Sequence, residues 1–459
     1  MSKKNKTKPD KSSNKRNCNV ENLKGSIPNG QGISYYENGN KMYQGNWVNG
    51  KPRGYGTMYY ENGNKYYEGG WKDDKKNGQG ILYLQNGNIK YEGSLVNDKP
   101  RGYGTMYNDN GTKIYEGNFK DGNKNGHGIY YYDNRNKNYE GEWIDNRANG
   151  QGISYFENGN KEYEGNFKDH KVNGKGICYY ENGNKCYEGE WKDDKKNGQG
   201  IYYWQNGNKM YEGGWIDSVR SGQGIYYYEC GNKSYEGNFK DHKVNGKGIS
   251  YYENGNKCYE GEWKDGKKNG QGISYYENGN KCYEGEWKDN VRSGQGIYYN
   301  ECGNKIYEGN FKDHKVNGKG ISYYRNGNIK YDGSWVNNKI TGYGTMYYVN
   351  GGKVYEGECK NATPNGQGIF YYENGNKCYE GEWKDGKKNG QGIAYNKNEI
   401  KIYEGEWEHG YRKFKILEEV ISLEGVDTCC ICMESKCNII TKCEHTFCYD
   451  CILEHFKND

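Results

Sequence analysis

The last 31 residues of the chain hold its densest cluster of metal-ligating side chains, with seven of the 16 cysteines. Two cysteines are separated by two residues, and ten residues later a Cys-x-His pair is followed by a second Cys-x-x-Cys pair. Paired thiolates at this spacing bind one side of a tetrahedral zinc ion, and a distant pair completes the site. We therefore expect Zn²⁺ to be bound by Cys429, Cys432, Cys443, His445, Cys448 and Cys451.

The cysteine distribution favours an intracellular, cytoplasmic protein. No apolar signal segment follows Met1, and no apolar run in the sequence is long enough to cross a bilayer. In a reducing compartment, clustered cysteines indicate metal binding rather than disulfides. The remaining cysteines show no disulfide-like pattern, since Cys258 and Cys282, for example, would lie about 10 Å apart on neighbouring hairpins.

Composition alone would suggest a disordered chain. Mean hydropathy is −1.30 and only 32% of residues are hydrophobic. However, the 52 tyrosines, 11 tryptophans and 72 glycines recur in register. An aromatic ring in strict register can be buried while its hydroxyl contacts water, so periodicity outweighs polarity here.

Residues 1–28 form a basic tail that we predict to be disordered. Eight Lys and Arg residues stand against Asp10 and Glu21, a net charge of +6, so the rest of the chain sums to about −1 of the overall +5. Nuclear import, an anionic membrane surface and simple solvation are all compatible with such a tail. No specific nucleic-acid partner is predicted.

A Tyr-x-Gly motif recurs every 24 residues, sixteen times, from Tyr43 to Tyr403. A representative unit is YEGEWKDGKKNGQGISYYENGNKC, and its positions are numbered here from Tyr259 (first) to Cys282 (24th). The pattern spans residues 29–409 as about fifteen full units with a half-unit at each end. Such exact repetition predicts a stack of identical supersecondary units.

Each unit has the pattern of two β-strands. Tyr259, Gly261 and Trp263 alternate with acidic residues and share one face, and Ile273 and Tyr275 share a face of the second strand. A loop is expected between the strands, and the Asn-Gly pair of the following ENGN segment predicts a tight hairpin turn. A glycine between two aromatic residues of one strand, such as Gly261, leaves a gap that a neighbouring strand's ring can cover, so adjacent units complete each other's surface. The predicted fold is all-β, an elongated antiparallel meander of hairpins.

The pattern YEGxW…NGxG…Y closely resembles the MORN repeat over residues 29–409. The resemblance implies β-hairpin repeats used for protein contacts, dimerisation and, in some members, association with phospholipid membranes. It does not imply catalysis.

Two rows of side chains are candidates for binding. Position 18, Tyr276 in the representative unit, is aromatic in twelve of sixteen copies, and position 23, Lys281, is Lys in fourteen. They favour docking of a protein or of anionic headgroups, or else they only cover one another and keep the sheet soluble. Three histidines recur 72 residues apart, too far to share an ion, and reflect duplication: His170, His242 and His314.

The C-terminal cysteine pattern resembles a RING finger, with Ile431 between the first cysteines and Phe447 and Ile452 beside later ligands. The resemblance implies a complete first zinc site of Cys429, Cys432, Cys448 and Cys451. It also implies that the module holds a ubiquitin-conjugating enzyme, with Ile431 as a contact.

The second site implied by this resemblance is incomplete. Cys443 and His445 would need a final Cys-x-x-Cys pair, which the sequence lacks. Substitute ligands are His455, Asp459 or Cys437, or a second chain. One zinc is therefore expected, and a second zinc and ligase activity remain open.

Residues 410–428 link the array to the zinc module at 429–459. Apolar residues at Phe414, Leu417, Val420 and Ile421 have roughly helical spacing and predict a short helix.

The sequence as a whole favours a non-catalytic scaffold that binds protein or membrane partners and carries a zinc-binding, RING-like end. The alternatives are an E3 ubiquitin-protein ligase that selects substrates with its repeats, and a phospholipid-binding protein. No catalytic residues are proposed, because no nucleophilic or paired-carboxylate constellation stands out from the repeat background.

Overall fold

A computed structural model describes residues 29–413, together with the backbone of two short paired strands near the C-terminus, Ile439–Ile440 and Thr446–Phe447. The predicted basic tail and all six expected zinc ligands lie outside the described residues. The chain forms two compact units, residues 1–220 and residues 221–459.

In the first unit, each strand pairs antiparallel with the next one along the chain. The strands are β1 (Gly30–Tyr35), β2 (Lys41–Val48), β3 (Lys51–Tyr59), β4 (Lys65–Lys72), β5 (Lys75–Tyr83), β6 (Ile89–Val96), β7 (Lys99–Tyr107), β8 (Lys113–Lys120), β9 (Asn123–Tyr131), β10 (Lys137–Ile144), β11 (Arg147–Tyr155), β12 (Lys161–Lys168), β13 (Lys171–Tyr179), β14 (Lys185–Lys192), β15 (Lys195–Tyr203) and β16 (Lys209–Ile216).

The second unit continues the same arrangement from β17, whose first two residues precede its boundary. Its strands are β17 (Val219–Tyr227), β18 (Lys233–Lys240), β19 (Lys243–Tyr251), β20 (Lys257–Lys264), β21 (Lys267–Tyr275), β22 (Lys281–Lys288), β23 (Val291–Tyr299), β24 (Lys305–Lys312), β25 (Lys315–Tyr323), β26 (Ile329–Val336), β27 (Lys339–Tyr347), β28 (Lys353–Lys360), β29 (Thr363–Tyr371), β30 (Lys377–Lys384), β31 (Lys387–Tyr395), β32 (Lys401–Glu408) and β33 (Tyr411–Arg412), followed by the C-terminal pair β34 (Ile439–Ile440) and β35 (Thr446–Phe447).

The predicted all-β antiparallel meander of hairpins is therefore confirmed within both units, and the described residues contain no helix. Within the predicted linker of residues 410–428, Tyr411–Arg412 form β33, which pairs with β32. Residues 414–428 of that linker lie outside the described residues.

The tight turn of each unit lies where the sequence predicted a loop. Asp265 and Gly266 alone join β20 to β21, with φ of 51° and 85°. Two-residue hairpins need positive φ at both central residues, and an Asp-Gly pair tolerates it. The ENGN segment belongs to a wider turn, in which the Tyr276 N–H donates to the Asn280 carbonyl at 2.9 Å.

The core is a row of aromatic rings on one face of the sheet, called here the aromatic face. Tyr259 is fully buried and packs edge-to-face on Trp263 of its own unit and Trp287 of the next, with ring centroids 5.0 and 5.5 Å apart. The Trp287 indole N–H donates to the Gly272 carbonyl at 3.2 Å. Each ring therefore contacts its own hairpin and its neighbour, so no unit buries its aromatic residues alone.

The invariant glycines make room for the tyrosine ring of their own unit. The Tyr259 ring lies across Gly261 and Gly272, and a Cβ at either position would collide with the ring and, at Gly261, with the opposite strand's backbone. The prediction that a neighbouring strand's ring covers the gap is wrong for Gly261, whose gap is covered by Tyr259 of its own strand, whereas Gly272 on β21 is covered by this ring from the adjacent strand β20. Adjacent repeats are joined by the side chain at position 5, as Trp287 contacts Tyr259.

One pair of repeat cysteines forms a disulfide, which contradicts the expectation of none. Cys178 and Cys186 are bonded, with Cα atoms 5.4 Å apart. They occupy positions 16 and 24, and the register shifts between Cys178 and Tyr179, so Cys186 bulges out of the ladder toward Cys178. The inter-hairpin spacing of about 10 Å applies to cysteines at position 24 of successive units, such as Cys258 and Cys282, and not to a pair at positions 16 and 24 of one unit.

Candidate binding surfaces of the repeat array

The predicted lysine row is neutralised by a row of glutamates on the sheet surface opposite the aromatic face, called here the Lys–Glu face. The Lys257 ammonium lies 2.7 Å from a Glu260 carboxylate oxygen, and the Tyr275 hydroxyl donates to the same carboxylate at 3.3 Å. The hydrogen bond with Lys257 lowers the pKa of Glu260 despite partial burial. The same Lys-to-Glu pair recurs at thirteen lysines: Lys65, Lys113, Lys137, Lys161, Lys185, Lys209, Lys233, Lys257, Lys281, Lys305, Lys353, Lys377 and Lys401.

The aromatic row at position 18 joins neighbouring units rather than standing free. The half-buried Tyr276 donates its hydroxyl hydrogen to the Tyr299 carbonyl of the next unit at 2.9 Å. Beside it, the Asn280 side-chain amide donates to the Glu301 carbonyl at 2.8 Å. These side chains hold successive wide turns together, so they offer little to a partner.

The repeated histidines are turn residues. His170 and His314 have φ of 69° and 64°, and their Nδ1 atoms accept the backbone N–H of Ala148 and Arg292 at 3.3 and 3.4 Å. Across residues 29–413, no group of three or more His, Cys, Asp or Glu side chains could hold a metal ion. In the same part of the chain, no helix is long and apolar enough to cross a membrane.

Position 10, which the sequence analysis overlooked, carries cations on the aromatic face. The Lys124 ammonium lies 4.9, 4.2 and 4.7 Å from the ring centroids of Tyr115, Tyr130 and Trp143. Burial lowers the pKa of Lys124 to about 8, and that of Lys196, in an equivalent cage, to about 8 as well. The sequence signal that could have identified these cations is that position 10 is Lys or Arg in some units and Pro, Ala, Val or Ile in the others.

The expected zinc ligands cannot be related to one another here, because all six lie outside the described residues. The zinc module, with one site or two, therefore stays a prediction.

Comparison with protein families agrees with this geometry. The MORN repeat model matches fifteen segments between residues 43 and 398, and a MORN repeat variant matches residues 28–49. The chain belongs to the MORN repeat family. MORN repeats are interaction modules for proteins or membranes, which places the chain among repeat scaffolds.

Other comparisons add nothing to this assignment. No curated protein matches the chain significantly. A solved structure of the Tc holotoxin pore from Photorhabdus luminescens is 10% identical, with a TM-score of 0.14, over 81% of this chain and 21% of that one. This chain thus spans about a fifth of that protein, and so weak a likeness carries no argument.

Proposed function

We propose that the protein is a non-catalytic scaffold whose MORN array binds protein partners rather than lipid. The observation that carries this proposal is the neutralised lysine row. Thirteen of its fourteen ammonium groups are each matched by a glutamate carboxylate within 2.8 Å, so this row offers little free positive charge to anionic headgroups.

Vesicle co-sedimentation tests the choice between protein and lipid. The full chain should bind vesicles containing about 30% phosphatidylserine only through its basic tail, whose attraction to anionic lipid is screened by salt. Replacing the eight Lys and Arg residues of 1–28 with Gln should therefore abolish sedimentation with vesicles. Retained, salt-sensitive binding by this variant would favour the phospholipid-binding alternative.

We also propose that the C-terminal module binds zinc and recruits the ubiquitin system, and an E3 ligase is the second candidate function. The Cys and His spacing of residues 429–451 supports zinc binding, and the resemblance of this spacing to a RING finger supports recruitment of the ubiquitin system.

Native mass spectrometry of the full chain and a Cys429→Ser variant tests the module. One zinc in the parent, lost in the variant, would support a single-site module that ends the array. Two zincs would mean that a second site is filled as well, and a ubiquitin-transfer assay would then decide on ligase activity. No zinc in the parent would refute the metal proposal.

A further inference from the structure

The aromatic face of residues 221–413 carries positive but no negative side chains. Position 10 supplies Lys268, Arg292, Lys388 and Arg412, whose charged groups lie over core rings. No Asp or Glu occupies positions 1, 3, 5, 10, 14, 16 or 24 of any unit in this range. On the Lys–Glu face, in contrast, position-23 lysines such as Lys257 and Lys281 are each paired with a glutamate.

Lys268, Arg292 and Lys388 have no carboxylate partner among the described residues, whereas Lys257 and Lys281 of the Lys–Glu face each have one. The Lys268 ammonium lies 4.7 Å from the Tyr259 ring centroid and 5.0 Å from that of Trp287. Arg292 lies 4.9 Å from the Tyr298 ring and donates from Nη2 to the His314 carbonyl at 3.4 Å. Partly buried charges without a countercharge are uncommon in proteins.

The fold does not require a cation at this position. Val244, Val316 and Ile340 fill the same place in other units, and Val316 and Ile340 pack against core clusters of the same kind of ring. Burial also lowers the pKa of Lys268 and of Lys388, so the charge opposes its surroundings. A charge that costs stability where an apolar side chain fits indicates a role in binding.

We infer that the aromatic face binds an acidic segment of a partner protein through Lys268 and Arg292. The inference rests on the proposed scaffold function and specifies the chemistry of the partner. The two cations stand one unit apart, which is two strands or about 10 Å. Carboxylates seven residues apart on an α-helix repeat at about 10.5 Å on one side, so an acidic helix matches this spacing.

Protein carboxylates fit this site better than other anions. The core rings pack edge-to-face on one another, as Tyr283 does on Phe311 with centroids 5.1 Å apart, so their faces are not open for stacking with nucleic-acid bases. The side chains of Lys268 and Arg292 are half-buried among these rings rather than projecting toward a flat bilayer.

Fluorescence anisotropy with a defined peptide tests the inference. The probe is a synthetic helix of about 22 residues with three Glu residues spaced by seven, and its counterpart carries Gln instead. The full chain should bind the Glu peptide at about 150 mM salt and bind the Gln peptide far more weakly. The double variant Lys268→Met, Arg292→Met should weaken binding of the Glu peptide by about tenfold or more.

Matched variants separate charge from folding. Lys257→Met with Lys281→Met removes two charges from the Lys–Glu face and should leave affinity unchanged. Lys268→Val with Arg292→Val copies side chains that other units use at position 10, so it should fold and lose binding as the Met variant does. Circular dichroism and thermal unfolding verify that each variant is folded.

The inference is overturned if both peptides bind alike, if the Met variant keeps full affinity, or if phosphatidylserine vesicles compete for the site more strongly than the Glu peptide. Partner capture by the full chain is measured separately. If the full chain does not bind the Glu peptide but still captures partner proteins, only this inference is refuted. If it neither binds the peptide nor captures partner proteins, the scaffold proposal is refuted as well.

Discussion

At the scale of single residues, the unit is defined by a tyrosine ring placed over two glycines. The Tyr259 hydroxyl donates to the Glu262 carbonyl at 3.1 Å, and its ring occupies the space that a Cβ at Gly272 would need. Every full copy therefore has Tyr at position 1 and Gly at positions 3 and 14, because the tyrosine ring fills the space that a side chain at either glycine would need.

We expect Gly272→Ala to lower the free energy of unfolding of the second compact unit (residues 221–459) by roughly 1–3 kcal/mol, because the added methyl group overpacks a well-packed core. Denaturant unfolding followed by tryptophan fluorescence measures the change. Gly352→Asn is the control, because Gly352 lies in a wide turn where other units carry Asn, and it should alter stability little. Equal stability of the Gly272→Ala variant and the parent would contradict the packing described here.

The caged lysines make stability depend on pH. Burial lowers the pKa of Lys124 from 10.5 to about 8, so between these values the unfolded chain binds more protons than the folded chain. Stability contributed by this group therefore rises as pH increases from about 8 to 10.5.

Lys124→Met should reduce the increase in stability between about pH 8 and pH 10.5, and it should stabilise the first compact unit (residues 1–220) at neutral pH. Thermal unfolding from pH 7 to 10 measures it, with the exposed Lys120→Met as the control for loss of one charge. An unchanged pH profile in Lys124→Met would show that the cage does not hold the ammonium as described.

At the scale of elements, the sequence predicted the two strands of each hairpin but misplaced the tight turn. Asn-Gly and Asp-Gly are both turn signals, and only the register of β20 on β21 shows that Asp265 and Gly266 form the two-residue turn. The sequence did not predict the disulfide, because assigning side chains to alternate faces of a strand assumes an unbroken ladder of paired residues, whereas Cys186 lies in a bulge. Lys at positions 10 and 23 is the same residue type, and only the register separates caged from paired lysines.

The bulge geometry predicts a second disulfide. Ser274 and Cys282 stand in the same register as Cys178 and Cys186, because Ser274 faces Tyr283 as Cys178 faces Tyr187. Ser274→Cys should therefore bond to Cys282 under mild oxidation. Peptide mapping under non-reducing conditions detects the link.

Ile273→Cys is the matched control, since Ile273 pairs with Glu284 and lies on the other face. A link from Cys282 to this control position, or none to position 274, would show that position 24 does not point toward position 16.

At the scale of the whole molecule, neighbouring repeats within each compact unit are joined by side-chain hydrogen bonds such as those of Trp287, Tyr276 and Asn280. Removing residues 259–282, one unit of 24, should leave equivalent residues in contact. Removing residues 259–281 shifts the register by one residue and turns the aromatic side chains to the wrong face. The variant that lacks residues 259–282 should unfold cooperatively near the parent's midpoint. The variant that lacks residues 259–281 should not.

The claim that the array, rather than the zinc module, binds partners is tested most directly by cross-linking in cells followed by mass spectrometry. The full chain and its Cys429→Ser variant are compared, and the cross-linked residues are mapped. We predict that both capture the same partner proteins and that the cross-links fall within residues 29–413. Loss of the captured proteins in the Cys429→Ser variant, with cross-links confined to residues 429–459, would contradict the scaffold function and favour the ligase.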